Sequence, residues 1–177
     1  LQLINQFAIF LSSRLLYPFQ SNIVSVSRGS IKAKFIIRPK SFDKYAIWEN
    51  WRVGQYLDFT KTISPQSTVV DVGAHIGSFA IYAAKLAHHG RVLAFEPHPK
   101  NFKMLLKNIK INHCSNIQAL PYAVVGNHLS KSANLFVYPA HSGSHSLVNK
   151  VSNSSMKVLT TTLPQIISNF HLSQIDF

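Results

Sequence analysis

Acidic residues are scarce in this chain. Six Asp and Glu stand against eighteen Lys and Arg, a formal net charge of +12. With so few carboxylates, the position of each one carries information about acid–base or cation-binding chemistry. Cysteine is scarcer still: the single Cys114 excludes an intramolecular disulfide and fits a reducing compartment. No apolar run reaches about 18 residues, so the sequence shows no transmembrane helix. The first twenty residues, LQLINQFAIFLSSRLLYPFQ, are apolar and amphipathic but lack a charged n-region and a small-residue cleavage site. They read as a core or surface helix rather than a signal peptide, with a membrane-surface helix as the alternative. The chain opens on Leu, not Met, and the true N-terminus is expected to lie upstream. No Ser/His/Asp set has the context of a hydrolase. His141 and His145 have no Cys, Asp or Glu nearby, so no metal site is expected.

What is present is enough for one domain with a core: 177 residues, 46% of them hydrophobic. The positive charge is partly concentrated. Arg28, Lys32, Lys34, Arg38, Lys40 and Lys44 form one group. Lys100, Lys103, Lys107 and Lys110 form another, near one face of a helix whose other face carries Phe102, Leu105, Leu106 and Ile109. Both groups read either as solvated outer faces or as attraction to a polyanion: nucleic acid, anionic lipid or acidic polysaccharide.

The chain divides at about residue 62. Residues 1–62 read as an N-terminal extension. IVSV and IKAKFII flank a Ser-Arg-Gly-Ser turn, which predicts a hairpin over 23–37 with Lys32 and Lys34 on one face. Phe42, Tyr45, Trp48, Trp51, Tyr56 and Phe59 predict an aromatic helix, either packed in the core or acting as a lid over substrate. After the SPQS turn, strand and helix alternate: a strand at Val69–Val72, a helix at 78–87, a strand in RVLAFE, a helix at 99–112 and a strand in NIQALPYAVV. That order predicts an α/β fold with a parallel sheet and right-handed crossovers. ANLFVY and MKVLTTTL add strands, HSGSHS a loop, and LPQIISNF a helix with Pro164 in its first turn.

The chemistry concentrates in VVDVGAHIGSFA. A strand enters a helix through a glycine turn, where backbone N–H groups can approach a ligand and the helix N-terminus is positive. Glu96 ends the next strand, where an acid can accept both hydroxyls of a ribose. The spacing is D-x-G-x-x-x-G. The dinucleotide pattern G-x-G-x-x-G fails at His75 and Ser78. Asp71 ahead of the glycines repels a pyrophosphate and suits a cationic group. S-adenosylmethionine, with an ammonium, a sulfonium and a ribose, answers both acids.

From Thr68 to Phe177 the sequence resembles the FkbM family of class I, Rossmann-like methyltransferases. The resemblance rests on VVDVGAHIGSFA, AFEPHPKNF, NIQALPYAVVG, the HSGSHSL loop and VLTTTLPQII leading into IDF. It implies an S-adenosylmethionine-dependent O-methyltransferase acting on a sugar, glycan or other hydroxyl-bearing small molecule, with residues 63–177 as a partial methyltransferase domain. The cofactor positions it implies are Asp71, Gly73, Ala74, His75, Gly77, Glu96, Pro97, Tyr122 and Ala123, the last two beside the adenine. Ser142, Ser144 and Ser146 fall on a family loop and are the candidates for substrate contact. His75 stands where the family more often has Asn, and its charge is expected to titrate near neutrality. In the family, IDF opens a fourth strand running into Asp-Val-Glu-Gly. The chain is therefore expected to be a fragment cut before the end of that strand, with its catalytic base unassigned. An RNA methyltransferase and a non-catalytic binding domain or inactive remnant are the alternatives. The expected location is cytoplasmic, with membrane association left open by the basic groups.

Overall fold

The computed structural model describes residues 22–53, 60–126, 130–138, 143, 145–148 and 153–177. The apolar first twenty residues, Tyr56, Phe59, His141, Ser142 and Ser144 lie outside the described residues. Among the described residues no helix is long and apolar enough to cross a membrane.

The hairpin forms as its alternation dictates. Strands β1 (Ile23–Arg28) and β2 (Ile31–Ile36) pair antiparallel around Gly29, with Ser27 opposite Lys32 and Ser25 opposite Lys34. Ala33 and Phe35 point inward, while Lys32 and Lys34 are exposed on the other face. Helix α1 (Asp43–Trp48) follows and runs into a π-helical turn, Glu49–Val53. Trp51 is 1% exposed. Its ring meets Phe35 and Tyr82 edge-on at centroid distances of 5.8 and 5.2 Å, and its indole N–H donates to the Ser78 carbonyl at 2.9 Å.

The alternating half builds a parallel sheet in the order β3 (Thr68–Val72), β4 (Arg91–Phe95), β5 (Ile117–Leu120). Helices α2 (Ser78–Leu86) and α3 (Pro99–Ile111) connect these strands. The continuous strand expected in NIQALPYAVV is broken at Pro121, which has no N–H for a ladder. Beyond it β6 (Tyr122–Val125) joins a different sheet, ordered β6, β8 (Ser155–Thr162), β7 (Ser132–Phe136), with β8 parallel to β6 and antiparallel to β7. Helix α4 (Leu163–Asn169) starts at a reciprocal cap: the Thr162 hydroxyl accepts from the Gln165 N–H, and the Gln165 side chain accepts from the Thr162 N–H. The last residues lie along the outer edge of β3. Asp176 donates its N–H to the Thr68 carbonyl at 2.9 Å, and the Val70 N–H donates to the Phe177 carbonyl at 2.8 Å.

One apolar cluster spans both halves of the chain. Phe35, Ile47 and Trp51 from the N-terminal side pack with Val69, Ile76, Ile81, Val92 and Leu105. Helix α3 adds a polar clamp. The Ile36 N–H donates to Asn108 Oδ1 at 2.7 Å, and Asn108 Nδ2 donates to the carbonyls of Ile36 at 3.2 Å and Ile76 at 2.9 Å. One turn on, Asn112 makes the same two-way contact with Lys34, at 2.9 and 2.6 Å. Residues four apart on a helix rise about 6 Å, and residues two apart on a strand about 6.7 Å. Two helix amides can therefore serve alternate residues of an open strand edge.

Two details of the basic groups differ from expectation. Leu106 is 47% exposed, while Asn101 and Asn108 take buried places on α3. Arg28 donates to the Trp51 carbonyl and Arg38 is paired with Asp43, so only the lysines of the first group stand free of these contacts on the surface.

Asn108 is fully buried. Replacing it by Leu strands the Ile36 N–H and two carbonyls, each costing about 1–3 kcal/mol when buried without a partner. Asn108→Leu is expected to lower stability by about 2–4 kcal/mol in urea unfolding, and the half-exposed Asn112→Ala by less.

Candidate functional site

The turn after β3 is held by the end of β4. The N–H groups of Gly73 and Ala74 both donate to the Phe95 carbonyl at 2.9 Å, and the Gly77 N–H donates to the Ala74 carbonyl at 2.7 Å. These donors are therefore turned onto the protein's own carbonyls, not outward as the glycine motif had suggested. Gly73 has φ 81° and open space where a Cβ would stand. Gly77 has φ 86°, and a Cβ there would come within 2.6 Å of Leu105 Cδ1, so it serves the packing of α2 on α3. His75 also lies in the left-handed region, at φ 52°. Asn and His are both among the residues that tolerate it, which makes the exchange compatible with the backbone.

Glu96, 5% exposed, closes the turn from the other side. Its two carboxylate oxygens accept the N–H groups of His75 and His98, each at 2.8 Å. Burial pushes this carboxyl up from its ordinary pKa, while the two N–H donors pull it down. Oε1 also accepts from Asn101 Nδ2 at 3.5 Å, while Oε2 keeps a second lone pair with which the group can still accept a hydroxyl. Glu96, Pro97 and Gly73 line a cavity of about 90 Å³ together with Leu135 and His145.

Asp71, 9% exposed, sits one residue before the end of β3, and its Oδ2 is buried without a hydrogen-bond partner among the described residues. Burial raises its pKa to about 7, Glu96 repulsion adds to this, and the Ala80 backbone N–H opposes it. It borders a larger cavity of about 460 Å³, shared by Gly73, Ala74 and His75 on the turn and by Tyr45, Glu49 and Asn50 on the N-terminal segment. Among the described residues no Lys or Arg lines this cavity, although the chain carries +12.

His75 is held by residues that the sequence reading did not connect to it. Arg38 forms a two-toothed pair with Asp43, Nε to Oδ2 at 2.9 Å and Nη2 to Oδ1 at 2.6 Å, and the same Nη2 lies 3.2 Å from His75 Nε2. A guanidinium only donates, so Nε2 accepts and the ring proton sits on Nδ1. The pKa of His75 is about 4. Burial is the main cause; Asp43 opposes it, and Arg38, His145 and His98 reinforce it. The ring is therefore neutral at physiological pH, contrary to the expectation of titration near neutrality. Burial is also the main reason His98 falls to about 4, followed by the charges of His145, Arg38 and Lys100. The His98 and His145 rings lie 4.3 Å apart, which brings the loop after β7 against the Glu96–Pro97 corner.

The structure thus brings Asp71, Gly73, Ala74, His75, Glu96 and Pro97 together around two adjoining cavities. Gly77 lies behind them. Tyr122 and Ala123 are not in either lining: Tyr122 packs with Leu93, Phe95 and Ile166, and Ala123 with Leu135 and Val158. The break at Pro121 turns this stretch into the second sheet. Ser146 bonds through its backbone to Phe136 and lines neither cavity, whereas the neighbouring Gly143 borders both. Among the described residues no cluster of three or more His, Cys, Asp or Glu is arranged to hold a metal ion. Asp43 and Glu49 could have been suspected because acids are so rare, but nothing in the local pattern ties them to the turn.

An acid at each of two neighbouring parallel-strand ends, joined by a glycine turn, defines the nucleoside-cofactor class of α/β fold. The model of the methyltransferase FkbM domain matches residues 71–177, and the chain belongs to that family. It is 26% identical over 126 residues to Methyltransferase 1 of Beauveria bassiana (strain ARSEF 2860), covering 68% of this chain and 50% of that protein. It is 34% identical over 89 residues to methyltransferase sdnD of Sordaria araneosa, covering 48% of this chain and 32% of that protein. Among solved structures, M. jannaschii TYW2 in complex with AdoMet is 21% identical, with a TM-score of 0.40, covering 59% of this chain and 45% of that one. The chain thus spans half or less of the length of each of these relatives.

Asp71 also sets a pH-dependent stability. Its pKa rises on folding, from 3.8 to about 7, so its contribution favours the fold below about pH 4 and is lost as pH climbs through 7. Asp71→Asn is expected to stabilise the ligand-free protein at pH 8 by about 1–4 kcal/mol and to do little at pH 3.5, as measured by urea unfolding at both pH values.

Proposed function

We propose that the chain is the cofactor-binding part of an S-adenosylmethionine-dependent methyltransferase that acts on a hydroxyl of a sugar, glycan or other small molecule. The observation that carries this reading is Asp71 Oδ2: among the described residues, a buried acceptor without a partner on a cavity that no Lys or Arg lines. A ligand ammonium satisfies it, and the remaining acceptor capacity of Glu96 suits ribose hydroxyls. The family match and the two fungal relatives named as methyltransferases support the same reading. When bound, the cofactor supplies an electrophilic methyl group. The chain's own residues bind and orient: Asp71 and Glu96 fix the two ends, and Gly73 leaves the space between them open. The carboxylates facing the larger cavity repel phosphates, which favours an uncharged acceptor there.

Isothermal titration calorimetry with S-adenosylmethionine and S-adenosylhomocysteine tests this. Binding by the wild type and its loss in Asp71→Asn and Glu96→Ala are expected. Affinity should fall by up to about ten-fold per unit as pH drops below 7, with proton uptake or release visible as a buffer-dependent heat. Unchanged affinity in both variants removes the site assignment, and a wild type that binds neither compound leaves a non-catalytic domain.

The exposed lysines of β2 and α3 favour a second reading, methylation of RNA. Binding of a transfer RNA would then weaken by orders of magnitude between about 50 and 200 mM salt. Weak, salt-indifferent binding counts against it.

A further inference from the structure

We propose that Glu49, with Asn50, forms a second wall of the cofactor site and reads the positive charge of the sulfonium. The proposal rests on the cofactor reading above. It extends the site to residues outside the 71–177 stretch that the family match covers.

The π-helical turn Glu49–Val53 puts these side chains in place. Such turns are rare and concentrate at functional positions. Here the turn is fixed to the first residue of α2. Trp51 donates to the Ser78 carbonyl, Asn50 Nδ2 donates to the Ser78 hydroxyl, and that hydroxyl donates onward to the Ala46 carbonyl at 3.2 Å. Because the Ser78 proton is committed to Ala46, Ser78 must accept from Asn50. That fixes the amide with its nitrogen toward Ser78 and its oxygen away from it. Asn50 Oδ1 is buried and has no hydrogen-bond partner among the described residues. Glu49 borders the same cavity as Asn50 and Asp71, next to Tyr45, whose hydroxyl bonds to its carboxyl. Burial raises the Glu49 pKa, and the bond from the Tyr45 hydroxyl opposes it.

The 460 Å³ cavity therefore has acceptors on both walls, Asp71 on the turn and Glu49 with Asn50 on the N-terminal segment. A ligand between them needs positive charge or donors toward each. S-adenosylmethionine has two cationic centres. The ammonium can donate hydrogen bonds and suits Asp71. The sulfonium has no proton to donate and is recognised by charge alone, which a carboxylate supplies and an amide does not. S-adenosylhomocysteine has the same ammonium but a neutral thioether.

Calorimetry with these two compounds separates the roles. Glu49→Gln is expected to weaken S-adenosylmethionine about ten-fold while changing S-adenosylhomocysteine by less than about two-fold. Glu49→Asp, which keeps the charge, should retain most of the preference. Asp71→Asn should weaken both compounds alike. Equal losses for the two compounds in Glu49→Gln, or no loss for either, overturn the proposal while leaving the cofactor reading intact. A wild type that binds neither overturns both. Circular dichroism on each variant separates a binding defect from unfolding; where Glu49→Gln does not fold, Glu49→Ser is titrated in its place, with the same two outcomes.

Discussion

The site depends on a closure between two strand ends. Phe95 offers one carbonyl to two successive N–H groups of the glycine turn, and Glu96 offers its carboxylate to the N–H groups of His75 and His98. A buried N–H without a partner is costly, so these four donors fix the path of the turn. With the donors used up, the ligand-facing chemistry falls to side chains. Glu96 is both a structural acceptor and a candidate site residue, and Asp71 is the carboxylate that keeps one oxygen, Oδ2, without a partner among the described residues.

The N-terminal segment completes this arrangement rather than decorating it. Trp51 is a core residue shared between halves, and Arg38 and Asp43 hold the imidazole of the turn in one tautomer. Asn108 bonds at once to β2 and to the Ile76 carbonyl, inside the turn-to-helix junction. The contrast in charge follows from the same layout. Lysines occupy the outer faces of β2 and α3, while three of the six acids, Glu49, Asp71 and Glu96, line the cavities.

Periodicity made much of the fold legible. The β3–α2–β4–α3 run, the hairpin and α4 with Pro164 in its first turn all follow from local pattern and punctuation. Asp71 and Glu96 were legible as candidates, because an acid at the end of a parallel strand carries a chemical meaning of its own. The rest depended on contacts distant in sequence. Pro121 in an apolar run reads as one strand until the partner of each piece is known. A π turn has no residue signature, so the inward turn of Trp51 with Glu49 and Asn50 at the cavity could not be foreseen. Arg38 looked like one more surface cation because its partner, five residues on, is an acid only the fold buries. Leu106 and Asn108 show the limit of helical-face reasoning: polar Asn108 is inside because it meets a backbone, while apolar Leu106 is half-exposed.

The clamp on β2 has a consequence for the order of events during synthesis. The strand leaves the ribosome with an open edge at Lys34 and Ile36, but the amide that serves Lys34 lies 78 residues downstream. At about 5–20 residues per second, that edge waits roughly 4–16 s for its partner. A bare strand edge in a nascent chain is an invitation to pair with the wrong neighbour, and interspersed lysines are a common deterrent. Lys32 and Lys34, whatever they meet in the finished protein, are placed where a newborn hairpin needs protection.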